Sequence, residues 1–241
     1  MLIACKGIVL NHIKYSETSV IAKIYTDLFG LQSYIIKGVR KSKSKNKLSL
    51  LEHLSLIEIV AYHKNLSPGL KTVKEIKSLY QFQTIPFDIH KSSIALFINE
   101  ILYKSLKEDD KNDVLFDFLY QSIQFLDVCQ NKYNNFHLLF MLQYAKILGF
   151  YPRNNFDMKH TFFNLNEGLF QSDTPLDAEF ISLPCSELLN RLQTCSFEHL
   201  SDLEISSTDR RVLLEKLILF YRLHIDGFAK INSLKILQEI L

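Results

Sequence analysis

Eleven residues, Lys37-Gly38-Val39-Arg40-Lys41-Ser42-Lys43-Ser44-Lys45-Asn46-Lys47, hold six basic side chains and no acidic one. The serines, asparagine and glycine among them disfavour both helix and strand, so the stretch is expected to be a loop. Closely spaced cations on a loop neutralise successive phosphates, each weakly but together with strong salt dependence, which is how a nucleic-acid backbone is held. The same composition also suits a solvated surface loop that binds nothing. The distribution of charge along the chain favours a polyanion partner. Residues 1–80 hold thirteen Lys+Arg against five Asp+Glu, a net of +8, whereas residues 81–241 hold fifteen against twenty-one, a net of −6. Such asymmetry places the basic character in the first third. Lys14 and Lys23 therefore join Lys37, Arg40, Lys41, Lys43, Lys45 and Lys47 as candidate nucleic-acid contacts. Tyr25 and Tyr34 would stack on bases if they faced outward and would pack in a core if they faced inward, and the alternation leaves both open.

The chain offers little with which to make or break a bond. Its eight histidines form no HExxH pair, and neither a GxSxG elbow nor a Walker-type phosphate loop occurs. Asp109, Asp110 and Asp113 fall in a polar connection, which suits solvated acids. A nucleic-acid-processing enzyme built on Asp109 and Asp113 is the rival enzyme reading, and no metal-ligand constellation accompanies those residues. Cys185, Cys195, His160 and His199 could in principle meet around zinc, but the CxxC pairs that usually mark such a site are missing. No catalytic residue, metal or cofactor is expected. The four cysteines (Cys5, Cys129, Cys185, Cys195) are scattered, no secretory signal is visible, and no run of eighteen apolar residues could span a bilayer. They read as free thiols in a reducing compartment, so a cytoplasmic location with no membrane partner is expected.

The elements that must position the basic residues are strands. Lys6–Leu10, Ser19–Thr26, Leu31–Ile36, Leu54–Tyr62 and Thr72–Leu79 are β-like, with Phe29-Gly30 and Asn65–Gly69 as turns. Five strands in about eighty residues fit an OB-type barrel, a fold that commonly binds single strands, and also fit an SH3-like barrel. From about residue 86 the apolar period becomes helical. Pro86 and Asp88 signal a helix start, and Ile94, Phe97, Ile98, Ile101, Leu102 and Leu106 form its stripe. A second helix carries Leu115 to Leu126, and a third runs from Phe136 to a stop at Gly149 and Pro152. Residues 153–183 break the pattern and suggest a hairpin insertion, with one strand at His160–Leu165 and another at Gly168–Gln171. Helices resume at Ser186–Leu192, Ser196–Leu200 and Asp209–Leu223, the last capped within Ser207-Thr208-Asp209, and Ser233–Leu241 closes the chain. Phe and Leu stripes of this kind are core positions of a helical bundle.

Several motifs carry a resemblance. Tyr15-Ser16-Glu17-Thr18-Ser19, Tyr25-Thr26, Gly30 and Lys37-Gly38-Val39-Arg40 resemble the start of the bacterial RecO recombination-mediator family. Phe97–Leu102 followed by Leu115–Leu119 resembles the family's first helical motif, and Tyr221-Arg222-Leu223-His224-Ile225 with Ser233-Leu234 resembles its C-terminal end. The resemblance covers nearly the whole chain in order. It implies an α+β protein: an OB-fold over 1–80, then a helical domain over 81–241 with the insertion at about 153–183. It also implies a DNA repair role that includes binding single- and double-stranded DNA and annealing complementary strands. The implied partners are RecR and the C-terminal tail of single-stranded DNA-binding protein, in a pathway that loads RecA. Many members carry a four-cysteine zinc module after the position of Gly149, whereas residues 150–185 here contain only Cys185. The insertion is therefore expected to lack zinc and to be held by Phe162, Phe163, Leu165, Leu169 and Phe170. The acidic tail, which ends in an apolar residue, needs a cation beside an apolar groove, and Lys104, Lys146 and Arg153 are the candidates. The rival to a DNA-binding mediator is a protein-interaction adaptor whose helical grooves do the work without direct DNA contact.

Overall fold

Alternating apolar residues generate five strands in the computed structural model, which describes residues 1–39, 48–63, 69–108, 111–130, 133–176 and 179–240. They are β1 (Leu2–Lys14), β2 (Val20–Thr26), β3 (Gly30–Ile36), β4 (Leu56–Tyr62) and β5 (Lys71–Ser78). β1 pairs antiparallel with β2, β2 with β3 and β4 with β5, while β3 and β5 run parallel. β4 pairs in turn with the first half of β1, so the ring of pairings closes. One cross-strand row runs Ile13–Ile21–Ile35–Thr72–Tyr62–Leu2 and returns to β1 eleven residues from its start. A stagger of that size requires steeply tilted strands.

Val20, Ala22, Ile24, Tyr34, Ile36, Ile57, Ile59, Ala61 and Val73 fill the interior. Gly7 is required there, because a Cβ at that position would lie 2.5 Å from Ile24 Cγ2. β1 is much longer than the expected Lys6–Leu10, since its two halves serve different neighbours and its exposed ends are held by backbone pairing rather than burial. It bends at a bulge between Val9 and Asn11, where Val9 N donates to Ser55 O and Leu54 N to Val9 O. The turn expected at Asn65–Gly69 lies mostly outside the described residues.

Two compact units emerge, Met1–Val128 and Cys129–Leu241. Strands give way to helices near residue 80, and the first unit takes in both the sheet and the first two helices. α1 (Ile89–Ser105) starts where Asp88 accepts hydrogen bonds from His90 N and Lys91 N. It packs on β1, with Asn99 Nδ2 donating to Leu10 O at 2.9 Å. α2 (Asp113–Val128) ends in a clamp. The fully buried Asp127 carboxylate accepts from Gln83 N (2.8 Å), Thr84 N (2.9 Å), Ile85 N (2.9 Å) and the Tyr80 hydroxyl (2.9 Å). The buried Lys91 ammonium donates to Thr84 Oγ1 (2.7 Å) and Asp127 O (2.8 Å). Together these fix the segment that leads from sheet to helix.

In the second unit, α3 (Phe136–Leu148) is buried over most of its circumference and ends at Gly149, whose φ of 91° gives the left-handed cap. The insertion forms three short strands rather than a hairpin: β6 (Phe162–Asn164) lies between β7 (Leu169–Gln171) and β8 (Phe180–Ile181). Phe163 packs on Phe170 (4.9 Å between centroids) and on Phe220 (5.8 Å), which seats this sheet on the last long helix. α4 (Cys185–Thr194) follows, and the helix expected at Ser196–Leu200 is a 3-10 turn over Phe197–Asp202. α5 (Ser207–His224) is capped by Ser206, one residue before the expected cap, because its hydroxyl accepts from Asp209 N. α6 (Leu234–Ile240) comes last. The buried Arg210 donates to Asn135 Oδ1 (2.9 Å) and Ile205 O (3.0 Å), and the Tyr221 hydroxyl donates to Met141 O at 2.6 Å. Burial, with the Arg210 charge adding to it, pushes His137 down to about 3, so this core histidine is neutral at ordinary pH. Among the described residues no helix is long and apolar enough to cross a membrane.

Candidate nucleic-acid interface

The outer face of β1, β2 and β3 has two halves. Ile8, Leu10, Tyr25 and Leu31 are buried, with Phe116 of α2 stacked at 6.2 Å on Tyr25. Asn11, Ile13, Ile21, Lys23, Ser33 and Ile35 remain exposed or half-buried. These six form two cross-strand rows, Ile13–Ile21–Ile35 and Asn11–Lys23–Ser33. Ile21 and Lys23 alternate with the interior Val20, Ala22 and Ile24, and Ile35 sits between the interior Tyr34 and Ile36, so the two rows point away from the barrel core. Lys37, which is exposed, follows the end of β3 beside the isoleucine row, and Lys14, the exposed last residue of β1, pairs with the interior Val20.

Tyr25 and Tyr34 are both fully buried, which settles their direction. Tyr34 fills the barrel, and Tyr25 lies under α2 with its hydroxyl donating to Asn112 O at 3.4 Å. Neither can stack on a base. The exposed aromatic rings of this region are instead Tyr15, in the β1–β2 turn, and Tyr62, at the end of β4.

Lys23 and Lys37 thus share one side of the sheet and Lys14, the partner of the interior Val20, takes the other, whereas Arg40, Lys41, Lys43, Lys45 and Lys47 lie outside the described residues. Lys23 is already engaged: its ammonium makes an ion pair with Glu108, on the connection between α1 and α2. That connection is tied to the sheet by a bridge between Leu31 and Glu108. Lys71, Lys74 and Lys77 on β5 were not singled out by the sequence. Lys71 donates to Gln32 Oε1, Lys74 pairs with Glu75 at 3.6 Å, and Lys77 pairs with Glu58 at 2.7 Å. The isoleucine row was missed as well. Its only signal is the alternation of Ile21 and Lys23 with core residues, and that resembles any half-buried strand.

The three partner candidates have different surroundings. Lys104 is half-buried and pairs with Glu100 at 2.5 Å, and the Lys146 ammonium stands 5.6 Å from the centre of the Tyr151 ring. Arg153 lines an open cavity of about 880 Å³ together with Asn155, Leu169, Phe170, Gln171 and Leu176. Asp109 lies outside the described residues, and Asp113 pairs with Lys111 at 3.1 Å. Burial raises the Cys5 thiol to about 12 and the Cys185 thiol to about 11, with Asp27 and Asp209 respectively adding to the rise, so neither is a nucleophile at neutral pH.

Comparison with known proteins agrees over the whole chain. The family model described as Recombination protein O N terminal matches residues 1–82, and that described as Recombination protein O C terminal matches residues 86–234. A protein of Phocaeicola vulgatus named DNA repair protein RecO is 36% identical over 240 residues, covering 100% of this chain and 99% of the relative. Proteins with the same name from Flavobacterium psychrophilum and Flavobacterium johnsoniae are 37% and 38% identical, again across 100% of this chain and 99% of theirs. The order of strands and helices, the basic first third and both family matches lead to one conclusion: the chain belongs to the recombination protein O family.

Proposed function

We propose that this chain is a non-enzymatic mediator of DNA repair and recombination. It binds single- and double-stranded DNA through an OB-type sheet domain at 1–80 and anneals complementary strands. With RecR it helps load RecA onto DNA coated by single-stranded DNA-binding protein. The observation that carries this reading is the open half-face of β1, β2 and β3, which holds Lys23 and is bordered by Lys37, where the six-cation stretch begins. Annealing needs no bond making. A cationic surface lowers the repulsion between two phosphate backbones, so complementary strands meet more often and stay together long enough to pair.

The helical domain at 81–241 supplies the docking function. Its insertion holds its shape through Phe163, Leu165 and Phe170, which are buried. Of the three partner candidates, Arg153 fits an acidic tail best. Its guanidinium can take a carboxylate while Leu169 and Leu176 offer apolar wall to the terminal side chain, against the opposing charge of Glu167 and Asp173 in the same cavity. Holding the coated strand there raises the effective concentration of DNA at the sheet.

Changing Lys14, Lys23 and Lys37 together to Ala tests the DNA reading. Each lost phosphate contact removes about 0.7 from the slope of log K against log salt on a single strand, so the slope should become shallower by about 1.4 with Lys23 held by Glu108, and by about 2 where Lys23 exchanges Glu108 for phosphate. An unchanged slope in a folded variant would move DNA off this face. Glu108→Gln tests the electrostatics from the other side. Freed from its ion pair, Lys23 should bind phosphate more readily, and low-salt affinity should rise roughly two- to threefold, the modest size expected of an exposed pair.

A further inference from the structure

The parallel pairing of β3 with β5 spans only Tyr34, Ile35 and Ile36, and ahead of it the edge of β3 takes a different neighbour. Leu31 forms a parallel bridge with Glu108, at the end of the stretch 106–108 that leaves α1. The same glutamate carries its carboxylate to Lys23, which stands on the outer face of β2 opposite Ser33. A few residues on, Asn112 O accepts from the Tyr25 hydroxyl at 3.4 Å. An oxyanion of the protein's own thus occupies a cation that a phosphate would otherwise meet. Each tie is weak. A single bridge is not a ladder, and 3.4 Å is long for a hydrogen bond. The Glu108 side chain is 65% exposed and that of Lys23 27% exposed, and an ion pair so open to water adds little. A contact held this loosely can be exchanged for a better one.

We infer that residues 106–108 form an autoinhibitory strap, in which Glu108 stands in for a backbone phosphate on Lys23 and gives way when DNA binds. This inference rests on the DNA-binding reading above and adds a built-in competitor to it. DNA exchanges a carboxylate for a phosphate at Lys23, so the strap lowers affinity without closing the face. The coupling is reciprocal: whatever holds the strap off β3 strengthens DNA binding by the same factor by which DNA favours the released strap.

A double-mutant cycle on the full chain separates competition for Lys23 from simple repulsion of DNA. Oligothymidylate binding at low salt is measured for the parent, Lys23→Ala, Glu108→Gln and the double variant, with thermal melting to establish that all four fold. Competition predicts that Glu108→Gln raises affinity roughly two- to threefold when Lys23 is present and leaves it unchanged when Lys23 is absent. A carboxylate that merely repels DNA would give the same gain in both backgrounds, and that result overturns the strap. The exchange itself is read by carbodiimide cross-linking, which joins a paired lysine and glutamate, followed by peptide mapping. Saturating oligothymidylate should cut the Lys23–Glu108 cross-link at least about threefold, as Lys23 turns to phosphate. The Lys77–Glu58 pair, on β5 and β4, is the internal reference and should cross-link equally with and without DNA. An undiminished Lys23–Glu108 cross-link on saturated protein would also overturn the strap. If the unaltered protein bound no DNA, the DNA-binding reading itself would fail, a result distinct from either of these.

Discussion

Changing Arg40, Lys41, Lys43, Lys45 and Lys47 together to Ala should weaken single-stranded DNA binding by about a hundredfold or more at low salt. Five of the six cations in the 37–47 stretch are lost at once, and no acidic residue there offsets them. If each meets one phosphate, the slope of log K against log salt becomes shallower by about 3.5, and the difference between variant and parent disappears as salt rises. Fluorescence anisotropy with a labelled oligonucleotide over a salt series reads both quantities. Annealing of complementary strands should slow in parallel, because the same charges relieve repulsion between the two backbones. A variant that folds and binds with the parent's affinity and slope would refute the assignment of DNA to this stretch. Intact partner binding alongside unchanged DNA behaviour would support the adaptor reading instead.

The second large effect concerns stability. Asp127→Ala should destabilise the first unit by about 2–4 kcal/mol, since it takes the shared acceptor from the buried Ile85 N–H, from the half-buried Thr84 N–H and Tyr80 hydroxyl, and from the Gln83 N–H. Urea unfolding followed by circular dichroism would show the midpoint shift. Tyr80→Phe, which removes one of the four donors, should cost about 1 kcal/mol. Burial by itself would raise the Asp127 pKa. The N–H groups of Ile85, Gln83 and Thr84 and the Tyr80 hydroxyl outweigh it and hold the carboxyl below its usual 3.8. A depressed folded-state pKa means stability that is present above the ordinary carboxylate range and lost as pH falls through the lowered value. The gap between parent and variant should therefore be full at pH 7 and narrow in strong acid. A constant gap across that range would show that the ionised carboxylate is not what holds the clamp.

Much of the architecture was legible because local chemistry dictated it. The alternation of Val20, Ala22 and Ile24 with Ile21, Lys23 and Tyr25 marks a strand whatever it pairs with. Asp88 caps α1 and Gly149 ends α3 for reasons that lie within a few residues of each. The six cations of the 37–47 stretch and the +8 net charge of the first eighty residues needed no fold to be seen. Where long-range packing decides, the same reasoning stopped. Alternation puts Tyr25 on the outer face of β2, yet α2 covers that face at Tyr25 and leaves it open at Ile21 and Lys23. The grouping of Ile13, Ile21 and Ile35 into one row depends on strand register, which joins residues up to twenty-two positions apart. Lys23 and Glu108 form an ion pair across eighty-five residues of sequence, and Asp127 finds its donors more than forty residues away. The sequence by itself determined the elements and the sign of the charge, because propensity, capping and composition act within a few residues. Tertiary structure alone decided which outer-face residues stay open and which charges are already paired, because burial and pairing depend on neighbours that the chain brings together only when it folds.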